Sequence, residues 1–444
     1  MLLLLLACVA PDPPGSSGRA AGPPEEEREE LGAAPADASL DDPDALWVAE
    51  ELPVFSLTFA DADWETALSS LIVADSCGDR GYLEADLLFT NPLTGREEVW
   101  RRVGVRYRGH SALLTGNQQA GNRWGFKLSF EALGDRTFHG AEHLSLLGTE
   151  GDTSLLRERV SLDWMRAAGV PAPRANHAKL VVNGEPLGVF PLVEEADDRA
   201  FLRAHFGRDD GHLYKVAGYC DGTNLEYAGV DVSAYAGFEP KGTTTVADLA
   251  TDIVPLLSCV QTGLDDEQLR ACVEQWIDVD EWLSEMAADM LLTNVDGMAA
   301  TAQNFLLHRP LDGRLVVYPY DLDLSFYQRE VDLVGTTIFD LRPSWEPLLP
   351  VLPRRLREAY APEFCDRVLA LTEDPGAAAL EAHISALAAQ IDSAMQDDPF
   401  LSHEAWQVQV QNVLDEVEHR HDVVAEEARR CEIPPLPEPN PPTE

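Results

Sequence analysis

The sequence predicts an α+β protein, with strands gathered in its first half and helices filling the second. Three observations carry this. Strand-like runs recur between Val54 and about Lys215, apolar residues at helical spacing take over after about Pro240, and Asn183-Gly184 separates two apolar runs as a tight hairpin turn would.

In chain order, Met1-Leu2-Leu3-Leu4-Leu5-Leu6-Ala7-Cys8 is too short to span a bilayer and reads as the end of a signal h-region. Leu5-Leu6-Ala7-Cys8 is similar to a bacterial lipobox, which predicts an extracytoplasmic lipoprotein or secreted protein that meets the membrane only through a lipid anchor at Cys8. An apolar N-terminus on a cytosolic protein is the competing reading, since no basic residue precedes the run. Residues 9 to 48, rich in Pro, Ala, Gly and acid, predict a disordered linker. A strand-rich N-lobe is expected over 49–216, a helical C-lobe over 217–433 and a disordered proline-rich tail over 434–444.

The expected strands are Val54–Phe59, Val103–Arg108, Phe126–Phe130, Ala178–Val182 and Leu187–Val193. One helix interrupts them from about Ser154 to Ala168, stopped by Gly169 and Pro171. In the second half Trp282, Leu283, Met286, Ala287, Met290 and Leu291 form an apolar stripe, and further helices are expected near 352–372, 376–396 and 403–430.

Composition excludes some functions. With 77 acidic against 33 basic residues the formal charge is -44, which repels nucleic acid and anionic lipid. A bound nucleotide would need a local cluster of cations or a divalent metal. There are 7 cysteines. With Cys8 set aside the remainder is even, widely spaced and free of C-x-x-C, which predicts disulfides rather than a zinc site. Cys259 with Cys272 and Cys365 with Cys431 are the pairings that proximity along helical hairpins favours.

The stretch from Asn294 to Phe326 is the most informative. It reads as a loop with a central Asp296, Asn304 opening a short strand, a turn at Asp312-Gly313, a second strand, and then Asp321-Leu322-Asp323. Phosphoryl transfer to a hydroxyl needs a carboxylate to engage the nucleophile and hard oxygen ligands for metal on the phosphates. A hairpin after the base loop would return Asp321 to the side of Asn304. Asp296 is the candidate base, with Asn304, Asp321 and Asp323 as metal ligands. Strand alternation would turn Asp321 and Asp323 the same way. The duller reading has Asp296-Gly297 as a turn and Asp321 and Asp323 in ion pairs with arginines that hold the lobes together.

Asn294-x-Asp296, Asn304-Phe305-x-Leu307 and Pro319-Tyr320-Asp321-x-Asp323-x-Ser325-Phe326 resemble the signature of the CotH kinase family, atypical two-lobed protein kinases. Upstream blocks agree in order: Arg106-Tyr107-Arg108-Gly109-His110-Ser111, Ala168-Gly169-Val170-Pro171, Asn183-Gly184 to Gly188, Val193-Glu194-Glu195 and Leu213-Tyr214-Lys215. The resemblance runs from about 100 to 330. It implies an ATP-using, metal-dependent kinase (Mg2+, or Mn2+ or Ca2+) with a protein Ser or Thr, or another hydroxyl compound, as acceptor. It further implies a Lys127–Glu158 pair orienting the phosphates, with Lys215 the alternative phosphate ligand. Arg106, Arg108, Gly109 and Ser111 would cover the nucleotide, with Glu194 and Glu195 at the lobe linker. A catalytically silent surface adhesin or envelope protein of the same fold, or a calcium-stabilised scaffold, stand as rivals.

Overall fold

Period-two alternation turns Phe55, Leu57 and Phe59 of β1 (Val54–Phe59) to one side, and Ala85, Leu87 and Phe89 of β2 (Leu83–Thr90) meet them there. The computed structural model describes residues 43–47, 51–72, 80–109, 123–134, 136–149, 151–218, 221–326, 337–343 and 349–434. The lipobox, the linker to residue 42, Cys77, Ser111, Cys220 and the tail from 435 lie outside the described residues.

With β3 (Glu97–Arg108), β4 (Gly125–Ser129), β5 (His143–Leu146), β6 (Ala175–Val182) and β7 (Glu185–Glu194), these strands close a barrel in the order β1-β2-β3-β4-β5-β7-β6. Closure comes from β1 running parallel to β6, Val54 opposite Lys179 through Leu57 opposite Val182. It leaves the barrel without a free edge. Five of these strands were expected. β2 and β5 are additions, although the alternation Leu83, Ala85, Leu87, Phe89 marks the first of them. Asn183 and Gly184 turn β6 into β7 with φ of 49° and 87°, as an Asn-Gly hairpin requires.

The short helix α1 (Asp44–Trp47) corrects the expected linker. Ala45 and Leu46 are fully buried, and the Leu46 carbonyl accepts a hydrogen bond from Asn176 Nδ2 at 2.8 Å. The chain is therefore pinned to the barrel from residue 44, short of the expected boundary at 48. A second short helix, α2 (Trp64–Ser69), follows β1.

Helix α3 (Arg157–Ala167) starts three residues later than expected. Leu155 at φ 62° breaks the helical path, and Asp152 gathers the Ser154 and Arg157 amides, each at 2.8 Å. His177 on β6 braces this start. Its Nε2 meets the Leu155 carbonyl at 2.6 Å and its Nδ1 meets Arg159 at 3.0 Å, and burial followed by the Arg159 charge pulls its pKa down to about 3. Below the ordinary histidine value of 6.5 the unfolded chain takes up a proton that the folded chain refuses, so stability rises with pH between about 3 and 6.5 and is lost as pH falls through that window. A His177→Asn variant is expected to lower the slope of unfolding free energy against pH by about 1.4 kcal/mol per pH unit between pH 4 and 6. Urea titrations at those two values check it, and an unchanged slope would contradict the buried neutral imidazole.

After α4 (Arg199–Phe206), β8 (His212–Val216) hydrogen-bonds with β9 (Glu239–Lys241) and β10 (Phe305–Arg309), and β10 pairs in turn with β11 (Val316–Pro319). The segment to 216, placed with the first lobe by its sequence, thus shares its sheet with β9, β10 and β11 of the second half.

Helices α5 (Leu249–Ser258), α6 (Asp266–Val273), α7 (Val279–Leu292), α8 (Met298–Thr301), α9 (Val351–Ala359), α10 (Ala361–Leu371), α11 (Ala377–Met395) and α12 (His403–Arg430) build the second core. The stripe on α7 is buried as expected, yet Ser284, Glu285, Ala288, Asp289 and Leu292 are buried too. A helix covered on every side is a central one. Disulfides join Cys259 to Cys272 and Cys365 to Cys431, the two pairings expected. Among the described residues no helix is long and apolar enough to cross a membrane.

Candidate active site

The loop after α7 carries Asp296, and its geometry is set by residues with positive φ: Thr293 (51°), Ala302 (56°) and Asn304 (55°). They fold residues 294–304 back so that Asn304 Nδ2 donates to Asp296 Oδ2 at 2.8 Å and to its carbonyl at 3.1 Å. Gln303 Nε2 holds Oδ1 at 3.0 Å. The β10–β11 ladder then returns the chain as the sequence predicted, with the Tyr320 amide on the Asn304 carbonyl at 3.0 Å. Asp321 follows directly, itself at φ 60°. Because β11 ends at Pro319, Asp321 and Asp323 do not share a face by strand alternation. A turn brings them to the same cluster instead.

That cluster is crowded with acid. Burial, then Asp321, pushes the Asp296 carboxyl up to about 7. Burial, then Asp321 and Glu158, drives Asp323 well above the ordinary carboxylate range, with Asp152 and Asp296 adding to it. Glu158 on α3 rises to about 8 through burial and Asp321. Arg108, at the end of β3, reaches Asp321 Oδ1 with both terminal nitrogens at 3.3 Å. Burial opposes its charge, but Asp321, Glu195, Glu158 and Asp323 hold its pKa above the ordinary value. The ion pair anticipated by the duller reading is therefore present at Asp321.

The expected Lys127–Glu158 pair is not formed. Lys127 Nζ pairs with Glu195 at 2.9 Å, while Glu158 accepts the Leu322 amide. The reason lies in the strands. Lys127 on β4 stands opposite Arg106 and Ser145, and Ser145 Oγ donates to Glu195, so this carboxylate just past β7 reaches the lysine across the barrel wall. Helix α3 instead aims Glu158 at the segment between Asp321 and Asp323. Glu194 points away from the cluster. Arg174 holds it at 2.6 Å and His205 at 3.2 Å; burial opposes its charge, but these bonds bring its pKa down to about 2. Arg106 lies over the Tyr82 ring and donates to the Arg80 carbonyl at 3.3 Å. Gly109 has φ 99° and its carbonyl meets Arg80 at 3.4 Å. Lys215 Nζ sits 4.3 Å over the Tyr320 ring and 3.6 Å from Asp197, which Lys241 also approaches at 3.7 Å.

Sequence reasoning overlooked four of the residues involved. Asp152 is legible as the acid of an Asp-x-Ser helix start, and Asp197 sits inside the acidic run 194–198 that reads as solvated charge. Gln303 carries no signal of its own. Gly151 is required by space, since a Cβ there would stand 2.8 Å from Asp323 Oδ2.

A family model described as CotH kinase protein matches residues 105–424. The chain belongs to the CotH kinase family. Inner spore coat protein H of Bacillus subtilis (strain 168) is 28% identical over 196 residues, covering 43% of this chain and 52% of that protein. Invasin CotH2 of Rhizopus delemar is 23% identical over 184 residues, 41% of this chain and 30% of that protein. The chain thus spans about half or less of these relatives. The proinflammatory kinase CtkA of Helicobacter pylori aligns with TM-score 0.34 and 9% identity over 70% of this chain and 91% of that one.

The donor types here are those that a divalent cation takes. Asp321, Asp323 and Asn304 offer hard oxygens, and a bound cation would offset the burial and then the mutual repulsion that lift Asp323. Among the described residues no three His, Cys, Asp or Glu side chains already stand in metal-holding positions. That is consistent with Asp321 being turned to Arg108.

Proposed function

We propose that this CotH family member is a metal-dependent phosphotransferase that moves the terminal phosphoryl group of ATP to a protein Ser or Thr, or to another hydroxyl acceptor. The observation that carries it is the meeting of Asp296, Asn304 and Asp321, drawn from a loop, a strand start and a second strand end, with Arg108 on Asp321. Asp296, gripped at both oxygens, would receive the acceptor proton. Asp321, Asp323 and the Asn304 Oδ1 would hold metal, the Asn304 nitrogen being committed to Asp296. Divalent metal would offset the charge of the phosphate oxygens. Lys127, with Glu195 as its partner, would bind phosphate, with Lys215, beside Asp197, as the alternative ligand. The barrel and the helical half would serve as the two lobes. The disulfides and the names of the spore-coat and invasin relatives support placement at a surface outside the cytoplasm.

The test is transfer of label from ATP with Mg2+ or Mn2+ to a panel of envelope proteins, beside Asp296→Ala. Transfer is expected to fall by about 10² to 10⁴ in the variant, with ATP affinity by calorimetry held within about threefold. Transfer that persists would remove Asp296 from its role. The Arg108–Asp321 contact favours a second reading, a catalytically silent surface protein, and the absence of both transfer and nucleotide binding would select it.

A further inference from the structure

Beneath the Asp296 loop lies a polar network that the reaction does not use. Glu285, Asp289, Asn294 and Arg357 are each 0–1% exposed. Asn294 is doubly tied to Asp289: its Nδ2 donates to Asp289 Oδ1 at 2.8 Å, and its backbone amide to the Asp289 carbonyl at 3.0 Å. Asn294 Oδ1 then faces the Asp296 amide at 3.4 Å. The Ala299 amide turns to the same Asp289 carboxylate, while Arg357 Nη2 takes the Ala299 carbonyl at 3.3 Å. The loop passes so close over Asp289 that a Cβ at Gly297 would lie 2.7 Å from Asp289 Oδ2 and 2.3 Å from Asn294 Nδ2. Among the described residues no backbone amide, lysine or arginine donates to either Glu285 oxygen. Burial, then the neighbouring Asp289, pushes the Glu285 carboxyl well above the ordinary carboxylate range, and one helical turn before Asp289 it is placed to share a hydrogen bond with that residue.

We propose that Asp289 is the positioning residue of this loop, acting through Asn294 to fix where the Asp296 carboxylate stands. Its catalytic consequence rests on the phosphotransferase reading; its structural one does not. An asparagine at 289 keeps an oxygen for Asn294 Nδ2, whereas alanine removes the hub.

The experiment compares wild type, Asp289→Ala, Asp289→Asn and Asn294→Ala by hydrogen exchange of peptides across 294–301 and by transfer kinetics. In Asp289→Ala and Asn294→Ala the loop amides are expected to exchange at least about tenfold faster, with α12 and the barrel unchanged. Turnover should drop about 100-fold with the KM for ATP held within about threefold, because Lys127 and Asp321 stand on other elements. Asp289→Asn should restore both to within about fivefold of wild type. Loop protection retained in Asp289→Ala, or an asparagine variant as impaired as alanine, would overturn the proposal. If wild type transfers no phosphate while the exchange pattern holds, the phosphotransferase reading fails and the positioning role stands.

Discussion

Asp321→Asn is expected to reduce phosphoryl transfer by about 10³ or more and to weaken ATP–Mg2+ binding at least about tenfold, while the metal-free protein melts no lower than wild type. The combination follows from what Asp321 does to its neighbours. After burial, its charge does most to raise Asp296, Asp323 and Glu158, so in the absence of a cation the folded state bears its repulsion. Removing one charge from such a set relieves the fold while depriving it of a ligand, the trade between stability and activity expected at a functional site. The substitution is clean in its backbone: position 321 has φ 60°, and asparagine tolerates that region better than other side chains. Arg108 keeps the ionised Glu195 as a neighbour, with Glu158 and Asp323 close by. Label transfer, calorimetry and thermal melting read the three parts separately. A variant that transfers phosphate like wild type would remove Asp321 from the metal set, and one that melts far lower would make Arg108–Asp321 a structural bridge.

The legible parts of the fold were those whose cause is local. Asn183-Gly184 specifies its own turn, α7 its apolar spacing, and the Asn294–Phe326 stretch brings its acids together because a single hairpin does it. What was not legible depends on partners chosen across the barrel. Glu194 and Glu195 are neighbours in sequence, but one is captured by Arg174 and the other reaches Lys127. Nothing within the run Glu194-Glu195-Ala196-Asp197-Asp198 says which acid faces which cation, since that follows from the register of β4, β5 and β7. Likewise the sequence marks Glu158 as a helix acid, and only the break at Leu155 sets the rotation that aims it at Leu322.

The repartnering of Lys127 has the second large consequence. If order along the chain governed pairing, Glu158→Gln would release the lysine and damage nucleotide binding as Lys127→Met does. The geometry predicts otherwise. Glutamine at 158 retains an oxygen for the Leu322 amide, so Glu158→Gln is expected to stay within about tenfold of wild-type transfer, whereas Glu195→Gln is expected to lose about 10² and to raise the Kd for ATP in step with Lys127→Met. Lys127 and Glu195 are both largely buried, with side chains 13% and 9% exposed, so breaking their pair leaves one charge without its closest partner in a poorly solvated place. A double-mutant cycle on stability should then give a Lys127–Glu195 coupling of about 2 kcal/mol and a Lys127–Glu158 coupling within about 0.5 kcal/mol of zero. The reverse ranking would mean that Lys127 takes the helix acid as its partner, and would overturn the pairing across the barrel wall.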